Sequence, residues 1–387
     1  MTHSVFGPDA NSTHLHLGRR VHFLRKSPLV LTKDDFLKHV VIAGSQPAAN
    51  RLQDDLQRQL TFQDGGWIRF TRSSPIDAAA VCIAREAGRH HELSVLDLVG
   101  CTADTYSPLH NGAPADVAQR LVELFPPGHS QGAEHYRTAA FEALTTVLDA
   151  ARLTEQAYTL DSLATLIAGG ESFSDLRTAV SRVQPGHACL DMLGAVDHTL
   201  SARSPLNAAL GGMAGRLLNL SQSAPGKLMS CHQPTIDLDD VLRHERLLLV
   251  NLPEGPLGDT LQRMLFAHVR TSMIAQASSA SGKATREPFG IFIDDPATAS
   301  DLLSRDVLDA AKALNVGFFL RSATLACIPK DLCATKILFG MNALDGTASA
   351  ESFDTRRLLS KQKRDEFHVS RDGAVVHGKL LPWNSFK

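Results

Sequence analysis

Along the chain, short unbroken apolar runs alternate with stretches in which apolar residues recur every three or four positions. Val40-Val41-Ile42-Ala43 runs straight into Gly44, and its consecutive β-branched residues predict a strand buried on both faces. From Ala48 to Leu60, the leucines 52, 56 and 60 are spaced for a helix with one apolar stripe. Strand, glycine turn and helix make the opening of a βα unit. Leu29-Val30-Leu31, Gly66–Phe70 and Leu93–Leu98 predict further strands, with a helix from Ile76 to Gly88 between the last two. Residues 1–27 read as polar and irregular, ending in a basic run with Arg19, Arg20, Arg25 and Lys26.

From Pro108 to about Gln222 helical spacing takes over, most clearly at Tyr136, Ala140, Leu144, Val147, Leu148 and Ala151, with further helices predicted near 115–125, 159–168 and 172–183. Strand character then returns in Arg246–Leu252, stopped by Pro253, and a helix from Gly258 to Ala277 follows. A connector over 278–287 leads to Phe289–Ile293, which is tipped by Asp294 and Asp295. A helix over 301–314, a strand over Val316–Leu320 and a hairpin of 368–370 with 374–376 around Arg371-Asp372-Gly373 complete the pattern. Alternation of strand and helix predicts an α/β protein with a mainly parallel sheet. The helical stretch reads as an inserted all-α domain over 108–222, between a first half of the core at 1–107 and a second at 223–387.

The composition changes this picture little. With 387 residues, 43% of them hydrophobic, the chain is long enough for a large core. Its 39 basic and 41 acidic residues leave a formal charge of −2, so any nucleic acid or anionic surface must be met by a local patch. Cysteines 82, 101, 189, 231, 327 and 333 form no C-x-x-C pair and no zinc spacing, so reduced thiols and no metal site are expected. No run approaches a membrane span and no signal-peptide h-region is evident, which predicts a cytoplasmic protein.

Two places suggest chemistry. A phosphate-cradling loop has the form G-x-x-x-x-G-K-[ST], where backbone N–H groups face the phosphates, the lysine reaches the β/γ oxygens and the hydroxyl holds Mg²⁺. After the predicted 39–43 strand the eight positions are Gly44-Ser45-Gln46-Pro47-Ala48-Ala49-Asn50-Arg51. Only Gly44 matches; Ala49, Asn50 and Arg51 stand at the second glycine, the lysine and the hydroxyl, and an ordinary βα turn fits these residues as well. Asp294 and Asp295, at the end of a buried strand, suit a Walker B element, in which one carboxylate supports the Mg²⁺ shell and the other orients water. The same acids, with Pro296 after them, also suit a capped strand-to-helix turn. His90-His91 reads as a solvated helix end, and the basic run Arg356, Arg357, Lys361, Lys363 and Arg364 as a solvated face or a phosphate contact.

Taken in order, His39-Val-Val-Ile-Ala-Gly44, Thr105-Tyr106-Ser107-Pro108-Leu109 ahead of a helical insert, Pro234-Thr-Ile-Asp237 before Leu248–Pro253, and an acid-tipped strand resemble the TraD/TraG coupling ATPases of conjugation and type IV secretion, over about residues 15–383. The resemblance implies a RecA-like, P-loop-type core carrying an all-α insert. It also implies relaxosome or secretion-channel proteins as partners, assembly into homo- or hetero-oligomers, and a place at the inner membrane reached through a partner. Against the family pattern, the acidic turn expected after the second core strand falls on Arg72-Ser73-Ser74-Pro75, Asp295 replaces a glutamate, and no glutamine follows Val316–Leu320 before residue 330. Charge-assisted hydrogen bonds contribute about 1.5–3 kcal/mol each, so losing the lysine and the Mg²⁺ ligand costs about 3–6 kcal/mol, or about 10²–10⁴ in affinity. The expectation is a coupling-protein-like scaffold that does not hydrolyse ATP, takes up no cofactor unless the altered loop still binds ATP and Mg²⁺, and contacts DNA weakly. An active hexameric DNA-translocating ATPase and a structural adaptor recruiting relaxase or effector are the alternatives.

Overall fold

The computed structural model describes residues 15–20, 27–44, 46–72, 78–101, 104–125, 131–201, 205–279, 286–294, 303–323, 335–339, 365–371 and 374–381. Among them, eleven strands form one sheet. Seven are parallel neighbours in the order β9 (Thr335–Phe339), β3 (Val40–Ala43), β8 (Val316–Ser322), β7 (Phe289–Asp294), β4 (Gly66–Thr71), β6 (Leu247–Asn251) and β5 (Leu93–Asp97). Beyond β9 the sheet turns antiparallel through β10 (Glu366–Arg371), β11 (Ala374–Lys379), β1 (Leu15–Arg20) and β2 (Pro28–Leu31). The expected mainly parallel α/β core is present, and the hairpin pairs Arg371 with Ala374 as its turn signal requires.

Side chains alternate across the pleat and divide the core in two. Val41, Ile68, Val250, Ile291, Phe318 and Leu320 face one apolar cluster, while Val40, Ile42, Trp67, Leu249, Phe292 and Phe319 face the other. The second side is covered by α1 (Lys33–Leu37), α2 (Gln46–Phe62) and α3 (Ala78–Glu86). Leu52, Leu56 and Leu60 of α2 are buried there, as their spacing predicts. On the first side lie α12 (Pro256–Ser279) and α13 (Arg305–Ala313), and the same apolar core runs on into the helices of residues 114–229. These are α4 (Pro114–Val122), α5 (Gln131–Leu153), α6 (Leu160–Ile167), α7 (Glu171–Val183), α8 (Ala188–Ser201), α9 (Pro205–Gln222) and α10 (Ala224–Met229); α11 (Leu238–Arg243) then leads back to the sheet. The long α5 packs against α4, α7, α8 and α9, and α4 joins this group to α12.

The chain between 105 and 237 leaves and returns at one place. Thr105 and Thr235 exchange hydrogen bonds, each backbone N–H donating to the other's Oγ1 at 2.8 and 3.1 Å, and Ile236 N–H donates to Thr105 O at 2.9 Å. Below this stitch the Tyr106 hydroxyl meets His268 Nδ1 of α12 at 2.8 Å. His268 Nε2 lies 3.7 Å from Asp239, so the tautomer protonated on Nε2 suits both neighbours. Arg120, almost fully buried, holds the turn after Tyr106 by donating to the carbonyls of His110 and Asn111 at 2.8 and 2.9 Å.

Residues 15–20 differ from their irregular reading: they form β1, with Leu15 and Leu17 buried. Three alternating residues followed by Gly18, where the register shifts, are too short a signal for a strand. β9 and α1 were likewise unmarked by any long apolar run. The stretch 278–287 begins inside α12, which extends to Ser279, and residues 280–285 lie outside the described residues. No helix among the described residues is long and apolar enough to cross a membrane.

Candidate functional site

Because β3, β8 and β7 are parallel neighbours, their carboxyl ends share one edge, the place where open α/β sheets take ligands. Gly44 ends β3 at φ 115°, and a Cβ there would stand 2.5 Å from Phe339 O, so both backbone conformation and space demand glycine. His39, at the other end of the strand, accepts the Phe318 N–H on Nδ1 at 3.2 Å and ties β3 to β8. Burial pulls its imidazole down to about pKa 4, which keeps that nitrogen free to accept at neutral pH.

Six of the eight phosphate-loop positions, 46–51, fall within a helix. α2 begins at Gln46, with Pro47 as its second residue, where a missing N–H does no harm. Positions 46–51 therefore climb the first turns of α2 and do not wrap as a loop. Ala49 is buried against the apolar cluster on that side. Arg51 extends to Asp365, 3.8 Å away and half exposed like itself. Asn50 points along the edge of the sheet, where its Oδ1 accepts a 2.7 Å hydrogen bond from Arg321 Nη1.

Arg321 organises the edge. It is the sixth residue of β8, directly across from Asp294 in the register, and pairs with it through both arms: Nε to Oδ1 at 2.8 Å and Nη2 to Oδ2 at 2.8 Å. Gln53 of α2, fully buried, adds a third donor to Asp294 Oδ1 at 3.0 Å. Beneath this network Phe292 and Phe319, two residues back on the same face of each strand, stack at 4.6 Å between centroids and 8° between planes. Burial pushes the Asp294 carboxyl upward, but the hydrogen bond and charge of Arg321, with Arg69 and Gln53, outweigh it and hold the group below its usual range. Arg69, on β4, is itself tied to Asp54 at 2.7 Å and Gln57 at 2.8 Å.

The structure thus brings Gly44, Asn50 and Asp294 to one edge and turns Ala49 and Arg51 elsewhere. Asp295, Ser45, the 73–75 turn and the basic residues 356, 357, 361, 363 and 364 lie outside the described residues. Arg72 binds Asp259 and donates to Gln262 on α12 at 2.9 Å. His90 and His91 sit in a short 3-10 turn with His91 exposed, beside Glu92. Arg321 and Gln53 were not singled out from the sequence. The signal for Arg321 was there: an acid and a base each cap a five-residue apolar strand core, at 294 and 321.

Magnesium takes near-octahedral oxygen ligands with several waters, and carboxylates serve it through free lone pairs. Here both oxygens of Asp294 are engaged by a guanidinium, the position of the loop lysine carries a neutral amide that faces the same guanidinium, and the position of the hydroxyl faces Asp365. As arranged, the donor set that the described residues make here does not suit a magnesium ion.

No family model matches the chain, and no curated protein sequence does. Solved structures do. The bacterial conjugative coupling protein TrwB lacking its first 70 residues, in an unbound form, aligns over 91% of this chain and 86% of its own with a TM-score of 0.66 and 12% identity. TrwB with ADP and Mg²⁺ aligns over 96% and 94%, with a TM-score of 0.65 and 11% identity. VirB4 of Thermoanaerobacter pseudethanolicus aligns over 96% and 98%, with a TM-score of 0.57 and 14% identity. The chain has the RecA-like α/β fold of the TraD/TraG-type coupling ATPases.

Proposed function

We propose that this protein is a non-hydrolysing member of a conjugative DNA-transfer or type IV secretion apparatus, a pseudo-ATPase that uses the coupling-protein fold as a binding scaffold. The observation that carries this reading is the coupling-ATPase fold combined with a sheet edge whose key positions are turned onto protein partners: Asn50 and Asp294 onto Arg321, Arg51 onto Asp365. With no ammonium at position 50 and no hydroxyl at position 51, the loss of about 3–6 kcal/mol expected for those two groups applies. Asp294 then serves as a structural acid. The helical segment 108–222 acts as a docking domain for relaxosome or secretion-channel proteins, and the protein reaches the inner membrane through such a partner. Its near-neutral charge suits weak, salt-sensitive DNA contact, since few phosphates are neutralised at once.

Calorimetry with Mg-ATP alongside a phosphate-release assay tests the reading. No measurable heat of binding up to millimolar nucleotide and no turnover are expected. Micromolar binding or steady release by the unmodified chain replaces the scaffold with an active motor.

A further inference from the structure

We infer that Arg321 is a tethered cation that takes the place of a divalent ion at Asp294, so that the site is closed from within by the protein's own side chain. This rests on reading the edge of the sheet as a former nucleotide site. It goes further by naming what excludes the metal: changes in the 44–51 turn account for weak phosphate contact, but not for an acid with both oxygens already taken up by a guanidinium.

Three observations support it. First, the guanidinium meets Asp294 as a planar fork, one nitrogen on each oxygen, and its remaining arm takes Asn50 Oδ1, so a single side chain satisfies both positions that would face a metal-nucleotide. Second, the fork is held on all sides: Arg321 and Asp294 are register partners on adjacent strands, Gln53 fixes Oδ1 from above, and the Phe292–Phe319 stack forms the floor. Third, the pair is mostly out of water, with side-chain exposures of 15% for Arg321 and 8% for Asp294. A guanidinium attached to the same sheet competes for those lone pairs at an effective concentration of about millimolar or more, whereas a single carboxylate gives Mg²⁺ little purchase. Arginine also stays charged at every physiological pH, so the closure does not open with acidity.

A consequence for loop repair follows. Asn50→Lys removes the Oδ1 that accepts from Arg321 Nη1 at 2.7 Å and brings a second cation beside the guanidinium, so Ala49→Gly/Asn50→Lys/Arg51→Thr alone leaves the site shut. Adding Arg321→Gln removes the repulsion and frees Asp294.

Water-proton relaxation with Mn²⁺ alone, on the full chain, tests the assignment. Arg321→Gln keeps an amide donor beside Asp294, and circular dichroism checks its fold. This variant is expected to bind Mn²⁺ at least about tenfold more tightly than the wild type, and the further change Asp294→Asn to abolish the gain. Equal Mn²⁺ binding by wild type and Arg321→Gln overturns the inference, as does wild-type binding that Asp294→Asn removes. Should Arg321→Gln alone unfold, the four-substitution chain, in which the new ammonium stands near Asp294, is compared with the three-substitution chain for Mg-ATP. Binding tighter by about tenfold supports the inference and equal binding overturns it. The two readings fail separately. Tight Mg-ATP binding by the wild type with no Mn²⁺ at Asp294 sinks the pseudo-ATPase and leaves Arg321 as the excluding cation, whereas Mn²⁺ at Asp294 in a wild type that binds no ATP does the reverse.

Discussion

Two polar networks are buried on opposite sides of the sheet, and they are built on different principles. At the carboxyl edge, Asp294 and Arg321 are both charged, and the pair is neutral only as a pair. At the root of the helical insert, Tyr106 and His268 are kept uncharged: burial raises the phenol and lowers the imidazole to about pKa 4, while His268 holds the half-buried Asp239 at about 2. Asp55 on α2 shows why a partner decides the first case. It is as little exposed as Asp294, 6%, yet burial, with the charge of Asp54 beside it, raises it to about 6 although Arg51 and Arg58 both pull it down without a bidentate fork. Equal burial with opposite titration teaches that the bidentate fork, not depth, makes the sheet edge a charged lock.

The largest effect separating the two networks is expected from Arg321→Met. It strands a buried carboxylate and should cost about 3–5 kcal/mol in chemical unfolding at neutral pH. The folded-state pKa of Asp294 would then lie above its unfolded value, so stability should recover on acidification and fall as pH rises through the new pKa. An unchanged midpoint in denaturant would show that the lock contributes nothing.

Acid acts next, on two buried histidines, one beside Tyr106 and one between β3 and β8. His268 and His39 titrate at about 4 in the folded protein against an ordinary 6.5, so their contribution is complete above pH 6.5 and lost as pH falls through 4. Thermal denaturation should therefore show about 3 kcal/mol of loss across that window from His268 alone, and His268→Gln should flatten the profile. Asp239 contributes only further down, between its ordinary range and about 2. A profile equally steep in His268→Gln would move the acid sensitivity elsewhere.

The smallest change comes from the neutral bond itself. Tyr106→Phe removes one buried hydrogen bond and leaves His268 Nδ1 unpaired, for about 1–2 kcal/mol by urea denaturation. A cost as large as that of Arg321→Met would erase the distinction between a charged lock and a neutral joint.

Much of the parallel core was legible because its strands declare themselves: Val40–Ala43, Leu247–Val250 and Phe289–Ile293 are apolar runs, which strands covered on both faces carry. β1 and β9 were not: Leu15 and Leu17 alternate over only three positions before Gly18, and Lys336 leaves β9 just three consecutive apolar residues, Ile337 to Phe339. The site was legible in its parts, Gly44, Asn50 and Asp294, and illegible in its connection. A partner like Arg321, 27 residues from Asp294 and 271 from Asn50, is set by strand order, and local spacing carries no record of that order. The contact between Tyr106 and His268, 162 residues apart, was hidden for the same reason.

The stitch between Thr105 and Thr235 bears on how such an insert is tolerated. The two threonines are 130 positions apart in the chain and within hydrogen-bonding distance in space. The helical segment is therefore a loop closed at its base, packed on α12 through α4 as well, and the entropy of closing a loop grows only by about 0.6 kcal/mol for each doubling of its length. Seen from the sheet, a long excursion and a short one look nearly the same. Helices can be added or trimmed at the far end of such a loop without disturbing the strands that anchor it.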